Sequence, residues 1–147
     1  MIELHAAVIL LSYGAFFLAL LTGASYLVQE RQLKLKDPRI LKSATVPLEL
    51  LDRINLSSVV IGFSLFSFGM IQGSLLAKRN WGSFWSGDPK EVWSLLTWTA
   101  YAIVLGLRLK VGLKGHRVML MSALSFLLVM FTFVGVNYWV GGRHVFF

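Results

Sequence analysis

Trp81 to Trp98 reads WGSFWSGDPKEVWSLLTW, eighteen residues that carry four of the chain's five tryptophans around an Asp88-Pro89-Lys90-Glu91 core. On either side the sequence is apolar for about twenty residues. A polar, aromatic stretch set between two apolar tracts of that length reads as a loop joining two membrane spans. Its tryptophans fit two roles, a platform for a flat aromatic ligand or an interfacial belt that anchors helices at the headgroups.

Working outward, apolar stretches of span length recur at Ala6–Val28, Ser57–Ala77, Val92–Leu109 and Val118–Val140. Three reach the roughly twenty residues that cross a ~30 Å hydrocarbon core at about 1.5 Å per residue. The third is shorter, and Trp93 and Trp98 extend it into the interface. The first is too long, and too poor in a small-residue cleavage site, for a removable signal peptide. The composition agrees, with 56% hydrophobic and 14% charged residues and a mean hydropathy of +0.71, well above a soluble balance. The expected fold is all-α: one membrane domain over residues 1–147, a bundle of four transmembrane helices with a Trp-rich loop at 81–98. Pro47 opens a segment in which Leu48, Leu51 and either Leu50 or Ile54 share a face, so an interfacial helix is expected at about 47–55.

The net charge of +7 suggests nucleic acid until the charges are placed. Arg31, Lys34, Lys36, Arg39, Lys42 and Arg53 lie between the first two spans, and Arg108, Lys110, Lys114 and Arg117 between the last two. Lys78, Arg79, Lys90 and Arg143 fall on the other side. Ten against four puts the two basic loops in the cytoplasm by the positive-inside rule. No basic stripe with interleaved aromatics is present, so nucleic acid is not an expected partner. With four spans, the N-terminus, the tryptophan loop and the C-terminus share the extracytoplasmic face. The expected location is the bacterial cytoplasmic (inner) membrane.

Catalytic machinery for hydrolysis is missing: no Ser-His-Asp spacing, no HExxH, no phosphate-cradling glycine loop, no CxxC. There is no cysteine at all, which excludes thiolate ligands and disulfides. Asp88-Pro89-Lys90-Glu91 reads as a helix start, with Asp as N-cap, Pro at N1 and Glu at N3 reaching back. Of the three histidines, His116 sits in a basic loop beside Lys114 and Arg117 and reads as a lipid-facing or solvated charge. His5 and His144 lie at the outer ends of the first and last spans, on the same face as the tryptophan loop. Each alone has a bland reading as a solvated terminal side chain. Together, without acidic or thiolate companions, they make a poor zinc site but a complete axial pair for haem iron, whose macrocycle supplies the other four ligands. Trp81 and Trp85 supply aromatic walls, Lys78, Arg79 and Arg143 supply cations for propionates, and Asp88 and Trp93 belong to the same loop. The expected site is therefore haem b, with His5 and His144 on the iron.

The stretches VPLELLDRINL, WGSFWSGDPKEVWSLLTWTAYA, the basic turn ending KGHR, and FTFVGVNYWVGGRH resemble the haem-handling cytochrome c assembly proteins with the Trp-rich WWD domain, in their CcsA/ResC branch. The similarity covers nearly the whole chain and looks like the C-terminal core of larger members. It implies that the loop binds haem on the outer face, between two flanking histidines matched by His5 and His144. Delivery to an apocytochrome c then follows with a membrane partner of the ResB type. The closing motif of the family, Gly-Leu-His-Ser-Tyr, is Gly142-Arg143-His144-Val145-Phe146 here.

Two departures bear on function. Gly87 stands where the family often has a tryptophan before the loop Asp, which removes an aromatic wall and loosens the backbone. Leu105-Gly106-Leu107-Arg108 stands where larger members carry an intramembrane histidine in a Leu-His-Leu-Arg context. The second, intramembrane haem site of the family is thus not built from this chain. The resulting expectation is a haem-binding component of c-type cytochrome biogenesis, at most a subunit of a haem lyase. Two alternatives stand beside it: a haem b electron-transfer subunit of a membrane complex, with other complex subunits as partners, and a HemX-like regulator or assembly factor.

Overall fold

The computed structural model describes residues 2–36 and 46–134. Its elements are four helices: α1 Ile2–Lys34, α2 Leu48–Trp81, α3 Pro89–Gly106 and α4 His116–Met130. The helix of α3 continues through a π-helical turn, Leu107–Val111, and α4 continues with π-helical hydrogen bonding over 131–134. Each of the four continuous helices is long and apolar enough to cross a membrane, and no strand occurs among the described residues. The chain is an all-α, four-span integral membrane protein.

At about 1.5 Å per residue the 34 residues of α2 extend about 51 Å, far beyond a ~30 Å hydrocarbon core. The helix begins directly after Pro47, and the 47–55 segment runs without a break into the span.

The surfaces divide as a bilayer requires. Leu10, Leu11, Phe17, Leu21, Ile61, Phe68, Leu124 and Leu127 are exposed, which in water would form an aggregating patch and in lipid is ordinary solvation. The interior is mixed. Phe16, Ala19, Val59, Phe66, Tyr101, Leu105, Phe126 and Val129 form the core cluster, with the Phe16 and Tyr101 rings stacked at 3.9 Å and 8°. Beside it Ser12, Asn55, Ser58, Thr97, Ser122, Ser125 and Thr132 are buried. Helices in lipid gain no hydrophobic drive from associating, so small residues and interhelical hydrogen bonds hold them together. Thr97 of α3 meets Thr132 beyond α4 at 3.3 Å, and Trp98 Nε1 donates to Ser67 Oγ of α2 at 2.8 Å.

The α1–α2 contact is the most extensive in the bundle, and glycines on α2 permit it. A Cβ on Gly62 would stand 2.7 Å from the Phe16 ring, and one on Gly69 would strike Ile9. A Cβ on Gly14 would meet nothing. Gly62→Ala is therefore expected to cost about 1–3 kcal/mol by overpacking a fixed ring. Gly14→Ala should be neutral or gain up to about 1 kcal/mol from helix propensity. Unfolding titrations in detergent micelles check the contrast; equal midpoints for the two variants would contradict this packing.

Candidate functional site

The end of the bundle that carries the tryptophan loop begins with a helix stop. Gly82 ends α2 in the left-handed conformation, φ 78°, its N–H bonded to the Lys78 carbonyl at 2.9 Å. Six residues on, Asp88 caps α3, its Oδ1 accepting from the Lys90 N–H at 3.1 Å with Pro89 following. Glu91 does not close the expected capping box on the Asp88 amide. Instead Oε2 accepts from the Ser86 N–H at 2.9 Å and the Gly87 N–H at 3.0 Å, and Oε1 accepts from the Ser86 hydroxyl at 3.1 Å. One carboxylate thus fixes the loop ahead of the helix.

This corrects the reading of Gly87 as a loosening residue. Gly87 has φ 73°, a left-handed conformation that costs an L-residue roughly 1–2 kcal/mol, and its amide is tied to Glu91. Glycine here makes the turn rather than relaxing it.

Between α1, α2, the loop and the start of α3 lies a small open cleft of about 80 Å³. His5, Ile9 and Tyr13 of α1 line one side, and Phe66, Met70, Gly73 and Ser74 of α2 another. Trp85 closes it from the loop, and Lys90, Glu91 and Ser94 from α3. The half-buried His5 imidazole reaches α2 because Gly73 has no side chain: a Cβ there would be 3.0 Å from His5 Cε1. Apolar and aromatic side chains share the lining with an imidazole, an ammonium, a carboxylate and three hydroxyls.

Of the residues singled out from sequence, the cleft brings together His5 and Trp85. Trp81, at the end of α2, is 40% exposed and is not among the cleft residues. Lys78 Nζ lies 4.2 Å above the Phe84 ring, and Arg79 is on the exposed end of the same helix; neither lines the cleft. Trp93 packs on Phe131 with ring centroids 4.3 Å apart, joining α3 to the end of α4. Asp88 is buried in its capping role. Arg143 and His144 lie outside the described residues.

Lys90 was passed over in the sequence because it sits inside a helix-capping motif. Its side chain nevertheless lines the cleft, and the residue is only 9% exposed. The available signal was its position two residues into a helix that follows the loop, on the turn that must face the bundle.

The opposite end of the bundle holds a polar centre that the sequence also concealed. Arg108 is counted with the basic loops by position, yet its side chain is 3% exposed and turned inward. Its Nη2 donates to Asp52 Oδ1 at 2.7 Å and to the Asp52 carbonyl at 3.3 Å, and its Nη1 donates to Asn55 Oδ1 at 2.9 Å. Asn55 Nδ2 then donates to the Ala19 carbonyl at 2.8 Å and reaches Ser122 Oγ at 3.5 Å. His116, expected as a lipid-facing or solvated charge, has Nδ1 3.2 Å from Glu30 Oε1, which also accepts from Lys34.

Among the described residues no three His, Cys, Asp or Glu side chains gather as a metal site. A single imidazole beside Tyr13, Phe66 and Trp85 is a donor set suited to a metal that brings its own macrocycle rather than to a bare ion.

Four apolar helices around a loop-covered cleft with one imidazole in its wall define a membrane protein with a candidate ligand site at one end of its bundle. Comparison with known sequences gives the family. The family described as Cytochrome C assembly protein matches residues 1–144, and the chain belongs to it. The cytochrome c biogenesis protein CcsA of Prochlorococcus marinus (strain MIT 9312) is 33% identical over 96% of this chain and 52% of its own length. The protein of the same name from Guillardia theta is also 33% identical, over 96% and 52%, and that of Chlamydomonas reinhardtii 33% over 96% and 39%. The chain thus spans about half the length, or less, of these relatives, and the part it matches is their C-terminal core.

Proposed function

We propose that this chain is a haem-binding membrane component of c-type cytochrome assembly, and that the cleft beneath the tryptophan loop is its haem site. The observation that carries the reading is His5 held against Gly73 in the wall of an aromatic cleft, in a chain of the cytochrome c assembly family. Bound haem b would supply the iron and the vinyl groups that become thioethers on an apocytochrome. The residues of this chain bind and orient it. His5 and His144, the latter beyond the described residues, would hold the iron. Trp85 covers a macrocycle face, and Glu91 holds the loop that carries Trp85. The excess of basic residues on one side supports basic loops in the cytoplasm and an extracytoplasmic cleft, in the bacterial inner membrane. The complete activity needs a partner: larger relatives are named for cytochrome c biogenesis, and a ResB-type subunit and the apocytochrome are the partners this reading implies.

The test is purification from membranes in mild detergent, reconstitution with haem, and incubation with a reduced peptide bearing a CxxCH motif in the presence of the partner subunit. A low-spin, six-coordinate spectrum followed by haem transfer to the peptide supports the assignment. Haem that binds but is retained, with a reversible midpoint, assigns the chain to electron transfer instead. A chain that takes up no haem overturns the reading.

A further inference from the structure

A second hollow adjoins the cleft on its lipid side. Of the neighbouring helix pairs, α2 and α3 make the least extensive contact, and between them runs a groove of about 470 Å³. Ile71 and Leu75 of α2, Leu95 and Trp98 of α3 and Phe84 of the loop line it, and among the described residues no charged side chain does. Ile71, Leu75, Phe84 and Leu95 are exposed, so in a bilayer the groove opens on lipid. Met70 and Ser74 line both the groove and the cleft and are the partition between them. The two hollows differ in capacity. The cleft beside His5, at about 80 Å³, falls short of the roughly 300–1,000 Å³ of small-molecule sites, whereas the groove lies within that range. At the loop end Lys78 Nζ stands 4.2 Å from the centre of the Phe84 ring, which puts a cation beside the end of an apolar hollow.

We infer that the α2–α3 groove is the lipid-side part of the ligand site, in which a planar, mainly apolar macrocycle lies and reaches His5 past Met70 and Ser74. The inference rests on the reading of the cleft as a haem site and extends it: the cleft supplies the imidazole and the groove supplies the room. Met70 suits a partition that must yield, because an unbranched thioether chain with three rotatable bonds refits its surroundings readily. Trp98 and Phe84 offer the aromatic surface on which a flat ring packs. The Trp98 indole N–H is already committed to Ser67 Oγ at 2.8 Å, so that ring serves the groove as an apolar wall. A mainly apolar ligand leaves water for the bilayer, and an opening on lipid admits it without passage through the polar loop. Lys78 stands where the acidic edge of such a ligand would remain near the headgroups. A lipid chain or a partner's helix could fill the same volume, but neither carries a group for an imidazole to hold, and the groove is continuous with the cleft that contains one.

The chain contains no cysteine, so a single introduced thiol reports on the groove without interference. Leu95→Cys and Ile71→Cys each place one on a residue that lines the groove and not the cleft. Leu124→Cys places one on an exposed residue of α4 as the control. The whole chain is reconstituted in lipid nanodiscs, and alkylation by a membrane-permeant maleimide is timed with and without mesohaem. Mesohaem carries ethyl groups in place of vinyls and forms no thioether with the new thiol. At about ten times its Kd roughly one site in eleven stays free, so labelling of Leu95→Cys and Ile71→Cys is expected to slow about tenfold. Labelling of Leu124→Cys should keep its rate. In the reverse order, a bulky maleimide already attached at Leu95→Cys is expected to block mesohaem uptake, and a methyl-sized adduct to permit it. Mesohaem that is taken up with a low-spin spectrum yet leaves both groove thiols unprotected overturns the inference and gives the groove to lipid or a partner helix. Uptake indifferent to the bulky adduct, or equal protection of Leu124→Cys, overturns it as well. A chain that takes up no mesohaem fails the haem reading and this extension together, whereas uptake without protection fails the extension alone, so the two failures are distinguishable.

Discussion

His5→Ala is expected to abolish the low-spin spectrum of the haem-loaded chain and to weaken haem binding by at least about tenfold. Second-shell groups alone change metal affinity by about 10–100-fold, so loss of an axial ligand sets a floor at that level. Among the described residues no second histidine lines the cleft. Among the described residues the other histidine is His116, at the start of α4 at the far end of the bundle, where it faces Glu30. His116→Ala should therefore leave the spectrum as it is. Gly73→Ala is the sharper companion. It retains the imidazole but sets a methyl 3.0 Å from Cε1, displacing the ring by a few tenths of an ångström. The expected result is a folded chain with a shifted or mixed-spin spectrum. Optical and electron paramagnetic resonance spectra read all three variants; an unchanged low-spin spectrum in His5→Ala removes His5 from the iron.

The tryptophan loop shows what could be read from the sequence and what could not. Four apolar tracts and an Asp-Pro start dictate four helices and the place where α3 begins, since span length and N-cap chemistry are local properties. Which tryptophan faces inward is not local. Trp85 enters the cleft, Trp93 goes to Phe131 and Trp98 to Ser67. The choice depends on the twist of the turn that Gly82, Gly87 and Glu91 impose together. From sequence, Trp81 and Trp85 have equal standing as aromatic walls, and only the fold separates them. The departure at Gly87 was visible as a missing aromatic, and only its φ of 73° reveals that the glycine is required by the turn. His5 was legible because membrane parity places it on the loop's side; that it nests against Gly73 needed the α1–α2 packing.

The charge count failed in one instructive place. Arg108 looks like a loop cation because Lys110 and Lys114 follow it, yet it continues the buried stripe of Thr97, Tyr101 and Val104 at α-helical spacing, so the helix face and not the neighbouring charges decides its direction. Its partners were equally hidden. Asp52 and Asn55 lie in a segment read for its leucines, and the pattern that matters there is the Asp–Asn pair three residues apart, which share the inward face of α2.

The largest stability effect is therefore expected at this inner polar centre. Replacing Asp52 with Ala removes the carboxylate that accepts at 2.7 Å and leaves the Arg108 guanidinium, 3% exposed, without its counter-charge among apolar helices. Breaking one side of a buried pair costs about 3–5 kcal/mol, because the orphaned charge retains its desolvation penalty. Asn55→Leu should act in the same direction, since Asn55 connects Arg108 to the Ala19 carbonyl of α1 and its loss orphans both groups. The double variant Asp52→Leu with Arg108→Leu removes both charges and is expected to be much milder than Asp52→Ala, within about 1–2 kcal/mol of the unmutated chain, as apolar replacements of buried pairs usually are. Unfolding titrations in micelles give the three values. The order of the effects decides the matter: a double variant no better than Asp52→Ala would mean that the pair contributes more than mutual neutralisation. A harmless Asp52→Ala would mean that water reaches Arg108 from that end of the bundle. The expected order makes the pair a device for register. It holds α2 and α3 at the end remote from the cleft and, through Asn55, ties in α1, the helix that presents His5. Asp52→Ala should then also broaden the spectrum of haem held by His5 at the opposite end.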